Sequence, residues 1–140
     1  MIIRAATPAD FDRVWEMFKQ VIDEGIYYTY DTTTQRSYIE QNWINTNQLI
    51  YVAEKEGEIA GAYIVKPNQP GHGAHVANAA YMVDLRFRND GIGRQLGEHS
   101  LLAAKAAGYR AMQYNFVVST NVGAVKLWQS LGFAIIGTIP

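Results

Sequence analysis

A chain of 140 residues is long enough for one domain, residues 1–140, with a substantial core, and the absence of cysteine excludes disulfides and Cys-ligated zinc as its staples. A formal net charge of -1 with 18% charged residues excludes the basic face that nucleic acid or an anionic membrane would need. No apolar run approaches the ~20 residues of a membrane span, and "MIIRAATPAD" lacks a signal core, so the expectation is a cytoplasmic protein with a small soluble partner, no nucleic acid and no membrane.

In chain order, "MIIRAA" reads as a short strand. "TPADFDRVWEMFKQVIDEG" reads as a helix with Thr7 as N-cap, Pro8 in the first turn and Asp10 near its positive end. Phe11, Val14, Trp15, Phe18, Val21 and Ile22 recur at helical spacing and make one apolar face. A Tyr-rich loop, "IYYTYDTTT", precedes a weaker helix, "TQRSYIEQNWINT". Strands "LIYVAEK" and "EIAGAYIVK" meet at Glu56-Gly57, a hairpin signal. After the loop "PNQPGHG" come a strand "HVANAAYMV", a turn "RNDGIG", a helix "RQLGEHSLLAAKAAGY" and a strand "AMQYNFVVS". The helix "NVGAVKLWQSLG" and a last strand "FAIIG" close the chain. This order makes a mixed α/β fold, and the strand–helix–strand unit around the turn predicts two parallel strands.

The turn puts two glycines where a strand hands over to a helix. At such a place unpaired N–H groups and the positive end of the helix offer an anion site, and glycines let a pyrophosphate approach the backbone. The plainer alternative is that Asn89 or Asp90 caps the helix and Gly91 relaxes the turn. A Walker loop is excluded for want of Gly-Lys-Ser/Thr, and "GIGRQLG" places the third glycine of a dinucleotide fingerprint one residue late.

What remains is Arg88-x-x-Gly91-x-Gly93 after an apolar strand, which resembles the acyl-CoA signature of the GCN5-related N-acetyltransferases (GNAT). "NVGAVKLWQSLGF" resembles their second motif, with Asn121, Ala124, Leu127, Gly132 and Phe133 in place. "NQPGHGAHVANAAYMV" and "MQYNFVVSTN" further resemble a subgroup that includes fungal acetyltransferases of cyclic, proline-like amino acids. The resemblance implies an acyl-CoA N-acyltransferase fold, here lacking its last strand, and an acetyl-CoA-dependent N-acetyltransferase of a small amine. It implies acetyl-CoA as acyl donor and no metal. Pantetheine would bond to the backbone at Met82 and Val83 and near Phe116 to Val118. The pyrophosphate would rest on Arg88, Asn89, Asp90, Gly91, Ile92, Gly93 and Arg94, and Asn121 would meet the cofactor at the head of the last helix. Direct attack by the amine needs orientation and a proton route more than a nucleophile. The alternative is a binding module of the same fold that has lost catalysis.

Two departures stand out. Trp128 occupies the place where the family keeps a Tyr as general acid, and an indole N–H cannot supply a proton at neutral pH. No Asp or Glu lies inside "HVANAAYMV", which leaves His75, beside Asn121, as the catalytic candidate able to accept a proton. Alternation puts Val76, Asn78, Ala80 and Met82 on one strand face and Gln113, Asn115 and Val117 on another. Asn78 and Asn115 are therefore either amides that bond each other or a loop, or the lining of an acceptor pocket that holds a group such as a carboxylate. Tyr27, Tyr28 and Tyr30 fall in the loop expected to wall that pocket, with Tyr30 taken as substrate-binding. His72 and His75 have H-x-x-H spacing but no third ligand. The ending at Pro140 either reflects a shortened chain or leaves an edge for a partner, such as a second copy in a homodimer, to cover.

Overall fold

The computed structural model of the chain describes residues 1–24, 36–41 and 48–140. Five strands form one sheet in the order β1 (Ile2–Ala5), β2 (Leu49–Lys55), β3 (Glu58–Pro67), β4 (Val76–Val83) and β5 (Ala111–Met112). The first four pair antiparallel, and β4 with β5 is parallel, as the strand–helix–strand unit predicts. Helix α1 (Phe11–Glu24) follows a 3-10 turn at Pro8–Asp10. Helix α2 (Arg36–Ile39) is the described part of the weaker second helix, and the rest of that stretch up to residue 47 lies almost wholly outside the described residues. Helices α3 (Ile92–Ala106) and α4 (Val122–Ser130) complete the order. No helix among the described residues is long and apolar enough to cross a membrane.

Each face of the sheet carries its own core. On one face Phe11, Val14, Met17 and Phe18 of α1 pack on Val52, Ala62, Ile64 and Met82. On the other, Ile92, Leu96 and Ala104 of α3 pack on Ala53, Tyr63, Val65 and Ala77. The alternation of β4 expected from sequence holds, with Ala80 and Met82 toward α1 and Ala77, Ala79, Tyr81 and Val83 toward α3. The β2–β3 hairpin turns at Glu56 and Gly57, both with positive φ (55° and 79°), the conformation of a tight two-residue turn.

Two predicted strands do not form as expected. Of "AMQYNFVVS" only Ala111 and Met112 form a strand, and 114–118 run on without backbone bonds to β4; "FAIIG" has no strand partner among the described residues, and Ile135 and Ile136 are exposed. Both stretches have strand composition, but a strand exists only where a neighbour supplies its hydrogen bonds.

Charged contacts fasten α1 to the sheet. Asp10 accepts hydrogen bonds from the Thr7 N–H (2.8 Å) and from both Arg4 guanidinium nitrogens (2.8 Å each), and Arg4 also reaches Glu54 on β2 (2.7 Å). Asp84, just past β4, is wholly buried (0% exposed) and accepts from Arg13 of α1, from the Arg86 N–H (2.8 Å) and from Arg86 Nε (3.2 Å). Burial alone would raise the Asp84 pKa, but the hydrogen bonds from Arg13 and Arg86 outweigh it and hold the carboxyl below its ordinary value; Asp10 is likewise lowered, chiefly by Arg4.

Groups with depressed folded-state pKa contribute stability that is present above the unfolded carboxyl value, about 4, and is lost as pH falls through the folded one. The melting temperature should therefore hold between pH 7 and about 5 and drop below about 4. Asp84→Asn should cost about 2 to 3 kcal/mol at pH 7 by chemical denaturation, the low side of the range for a broken buried pair because Arg13 keeps some solvent contact, and should flatten that acid limb. An unchanged acid limb would remove Asp84 from this role.

Candidate functional site

The site begins where strand pairing stops. Arg110 N–H donates to the His75 carbonyl (2.9 Å) and Gln113 N–H to the Ala77 carbonyl (2.7 Å). Among the described residues no backbone hydrogen bond joins β4 to the chain beyond Gln113. β4 runs on to Val83, so a fork opens between it and residues 114–118. The Ala77 carbonyl faces β5, and backbone direction alternates along a strand. Ala79, Tyr81 and Val83 therefore turn their backbone groups toward the fork. Met82 does not: it pairs with Ala62 of β3 and its side chain is buried in the α1 core.

At the mouth of the fork, Asp84 caps a 3-10 turn at Leu85–Phe87, Asn89 takes positive φ (66°), and Gly91 (φ 76°) hands over to α3. Neither Asn89 nor Asp90 caps the helix. The N-cap is Gly91, without a side chain, and the Asp90 carboxylate is engaged by Lys55 Nζ at 3.0 Å. The N–H groups of Ile92, Gly93 and Arg94 have no partner among the described residues. The Arg94 side chain turns along the helix surface to Glu98 (3.1 Å) and Ser130 (2.9 Å). Arg88 is half-buried beside this turn.

The two glycines differ in what requires them. A Cβ at Gly91 would meet nothing, but its left-handed φ strains any other residue. Gly93 is helical, and a Cβ there would make ordinary contacts with Leu127 (3.6 Å) and Val83 (3.9 Å). The fold thus asks for glycine at 91 and tolerates a side chain at 93, where glycine weakens the helix for no packing gain.

Asn121 caps α4, its Oδ1 accepting from Ala124 N–H at 3.2 Å. Gly97 lets α4 approach α3, since a Cβ there would lie 2.8 Å from Leu131 and 3.0 Å from the Trp128 ring. Trp128 lies against Tyr81 (4.7 Å between ring centres) and Tyr114 (4.8 Å), and Tyr114 stacks on Phe133 (4.4 Å). Ser100 Oγ donates to the Gly97 carbonyl (2.7 Å), so Tyr81 donates to Ser100 (2.6 Å) and Tyr114 to Tyr81 (2.8 Å). Burial pushes both phenols above their ordinary pKa, which keeps them protonated. Nothing in the sequence pattern singled out Tyr81, Tyr114 or Ser100; their signal is a three-dimensional meeting of β4, α3 and the segment past β5.

Asn78 and Asn115 do not bond each other. Asn115 Nδ2 donates to Asn68 Oδ1 (2.7 Å), and Gln113 Nε2 donates to Asn115 Oδ1 (3.2 Å). His75 is exposed, and its Nδ1–H donates to the His72 carbonyl (2.9 Å). It lies at the end of β4 away from the glycine turn, roughly 26 Å from Val83 at about 3.3 Å per residue. Among the described residues no three His, Asp or Glu side chains gather where a metal could bind. Tyr27, Tyr28 and Tyr30 lie outside the described residues.

A forked parallel pair with a glycine-led helix end at its mouth is an arrangement with room and backbone donors for an extended, phosphate-bearing ligand between strands. The match to the family described as "Acetyltransferase (GNAT) family" spans residues 14–133, and the chain belongs to that family of acetyltransferases. The solved structure of a GCN5-related N-acetyltransferase from Kribbella flavida is 38% identical and superposes with a TM-score of 0.94, covering 99% of this chain and 85% of that one. N-acetyltransferase aca1 of Schizosaccharomyces pombe is 36% identical over 81 residues, 58% of this chain and 39% of that protein. Protein SPT10 of Saccharomyces cerevisiae is 32% identical over 85 residues, 61% of this chain and 13% of that protein. The chain thus spans well under half the length of the curated relatives it matches.

Gly97→Ala should push α4 from α3 and cost about 1 to 3 kcal/mol in urea denaturation, as overpacking of a close helix contact does. Stability equal to the parent would show that the contact yields freely.

Proposed function

We propose that the chain is an acetyl-CoA-dependent N-acetyltransferase that moves an acetyl group to the amine of a small molecule by direct attack. The observation that carries this is Gly93, a glycine the fold does not need, placed among three unpartnered N–H groups at the mouth of the fork. Ile92, Gly93 and Arg94 would hold the pyrophosphate with backbone donors and the positive helix end, and Gly91 and Asn89 shape the turn that aims them. Asp90 spares the phosphates its charge by pairing with Lys55. Ala79 and Val83 would receive the pantetheine amides as a false strand, replacing the role first assigned to Met82, and Asn121 orders the α4 end beside them.

When bound, acetyl-CoA supplies an activated thioester. The amine nitrogen bonds to its carbonyl carbon, the carbon–sulfur bond breaks, and CoA leaves as thiolate with the amine's proton passing to solvent. A thiol of pKa about 8.5 leaves without an acid, so Trp128, which donates a hydrogen bond at most, is compatible with turnover. α3 and α4 cover one face of the fork, so the acceptor approaches from the other, where Asn78 and Asn115 lie. The second reading, an acyl-CoA-binding module without catalysis, is favoured by the packing of Trp128 among Tyr81, Tyr114 and Phe133. Release of free CoA from acetyl-CoA in the presence of mixed amines separates the two, and a mass shift names the acceptor.

Gly93→Val should weaken CoA binding at least about 10-fold by calorimetry while the melting temperature moves little, because its Cβ meets only ordinary contacts. Unchanged affinity in the folded variant would refute the backbone cradle. The rate should climb with pH toward the acceptor's own pKa when the amine attacks unaided, with the same profile in His75→Ala, because the exposed His75 ring is engaged by the His72 carbonyl. A pH limb that the variant abolishes would establish His75 as the base.

A further inference from the structure

The sheet face turned away from α3 and α4 is crossed, at the level of the fork, by a row of polar side chains. Leu49 pairs with Val65, Lys66 with Asn78 and Ala77 with Met112. Lys66 and Asn78 are thus cross-strand neighbours, and continuing the same registers by one residue brings Gln48, just before β2, and Gln113, just after β5, to their outer sides. Two residues along, on the same face, the next row is Ile50, Ile64 and Ala80, which belongs to the core under α1. The polar row therefore begins where that apolar cover ends. Lys66 is exposed and forms no ion pair with any described residue, and the Asn78 side chain makes no hydrogen bond to one. Asn115, bonded to Asn68 and Gln113, borders them. The row and its amide bridge contain one cation, several amides and no carboxylate. Asp10 and Glu54, further along this face, are occupied by Arg4, and Asp84 by Arg13 and Arg86.

We propose that Lys66 is the specificity-determining counter-ion for a carboxylate on the acceptor, which makes the acceptor a small amino acid rather than a simple amine. This rests on the transferase reading above. The amine has to enter the fork from this face, and a group on the same small molecule then lies within a few ångströms of Asn78. A cation beside an amide donor stabilises a carboxylate there by a charge-assisted hydrogen bond with a second, directional one. The same cation repels the second ammonium of a polyamine. Lys66 escaped the sequence reading because it follows the uncharged run 59–65 near the end of β3, and only the register brings it beside Asn78.

The test compares L-amino acids with the same amino acids as primary amides, following CoA release from acetyl-CoA at one pH for the parent, Lys66→Met and Lys66→Arg. Each acid–amide pair is read on every protein, so the intrinsic reactivity of the amines cancels. The parent should prefer the free acids and discriminate against spermidine. Lys66→Met should lower kcat/KM for the acids about 10- to 100-fold through KM, as expected for a lost hydrogen bond to a charged group, leave the amides nearly unchanged and spare the KM for acetyl-CoA. Lys66→Arg should retain most of the preference. If acids and amides fall together in Lys66→Met, or neither moves, Lys66 is not the counter-ion. A parent enzyme that acetylates amides or spermidine as well as acids refutes the inference and leaves the transferase standing. CoA binding by calorimetry without turnover of any acceptor overturns both.

Discussion

The structure turns on one interrupted interaction, the parallel ladder between β4 and β5, which stops at Ala77 and Gln113. A sheet that kept pairing would leave no room for a ligand, and one that never paired would leave the second strand unplaced. A short stretch of backbone pairing, from Arg110 to Gln113, locates the start of that strand, and the rest of its direction comes from side chains. Tyr114 meets Tyr81 on one face, and Asn115 meets Asn68 on the other, so the fork is braced from both sides without a ladder. Such bracing leaves backbone groups of β4 facing a gap, and buried amides without partners are costly. An extended chain of amides laid in that gap would satisfy them, which is the physical basis for reading the fork as a binding cleft.

The cleft is useful only if its mouth is held still. Asp84 does this by joining α1, through Arg13, to the turn that leads into α3, while Lys55 draws Asp90 toward β2. The anionic side chains of this loop are thus spent on neighbours, and the helix end keeps its positive character for a ligand. Gly91 serves the path of the chain, whereas Gly93 answers to no need of the fold and, in the proposed cradle, serves the approach of the phosphates. The two glycines of one short motif answer to different constraints, and substitutions at them report different things.

Much of this was legible in the residues. Period-2 and period-3.6 patterns located β2, β3, β4, α1, α3 and α4 closely, and Glu56-Gly57 marked its turn. The motif around Gly91 and Gly93, with Asn121 opening α4, pointed to the family that the 14–133 match establishes. What escaped notice depended on partners. "AMQYNFVVS" and "FAIIG" carry β-branched and aromatic residues, but composition cannot say whether a neighbouring strand is there to pair. His75 looked like a base from its chemistry, and the structure sets it at the end of β4 away from the glycine turn, two residues before the fork opens at Ala77. For Asn78 and Asn115 alternation left a mutual bond, a bond to a loop and a pocket lining all open, and only the folded chain shows Asn115 bonded to Asn68, a loop residue 47 positions away.

Trp128 shows how far one substitution in a motif reaches. An indole in this place is wider than a phenol, and Gly97 on α3 provides the space by carrying no Cβ against which the ring would press. The ring then rests on Tyr81 and Tyr114, whose hydroxyls pass hydrogen bonds in one direction to Ser100 and the Gly97 carbonyl. Gly97 therefore serves both ends of one assembly, admitting the ring and terminating the hydroxyl chain. Because that chain is saturated and its phenols stay protonated, it resists charge and holds shape. A site built this way relies on position rather than on proton supply, which suits a reaction whose leaving group is already a good one.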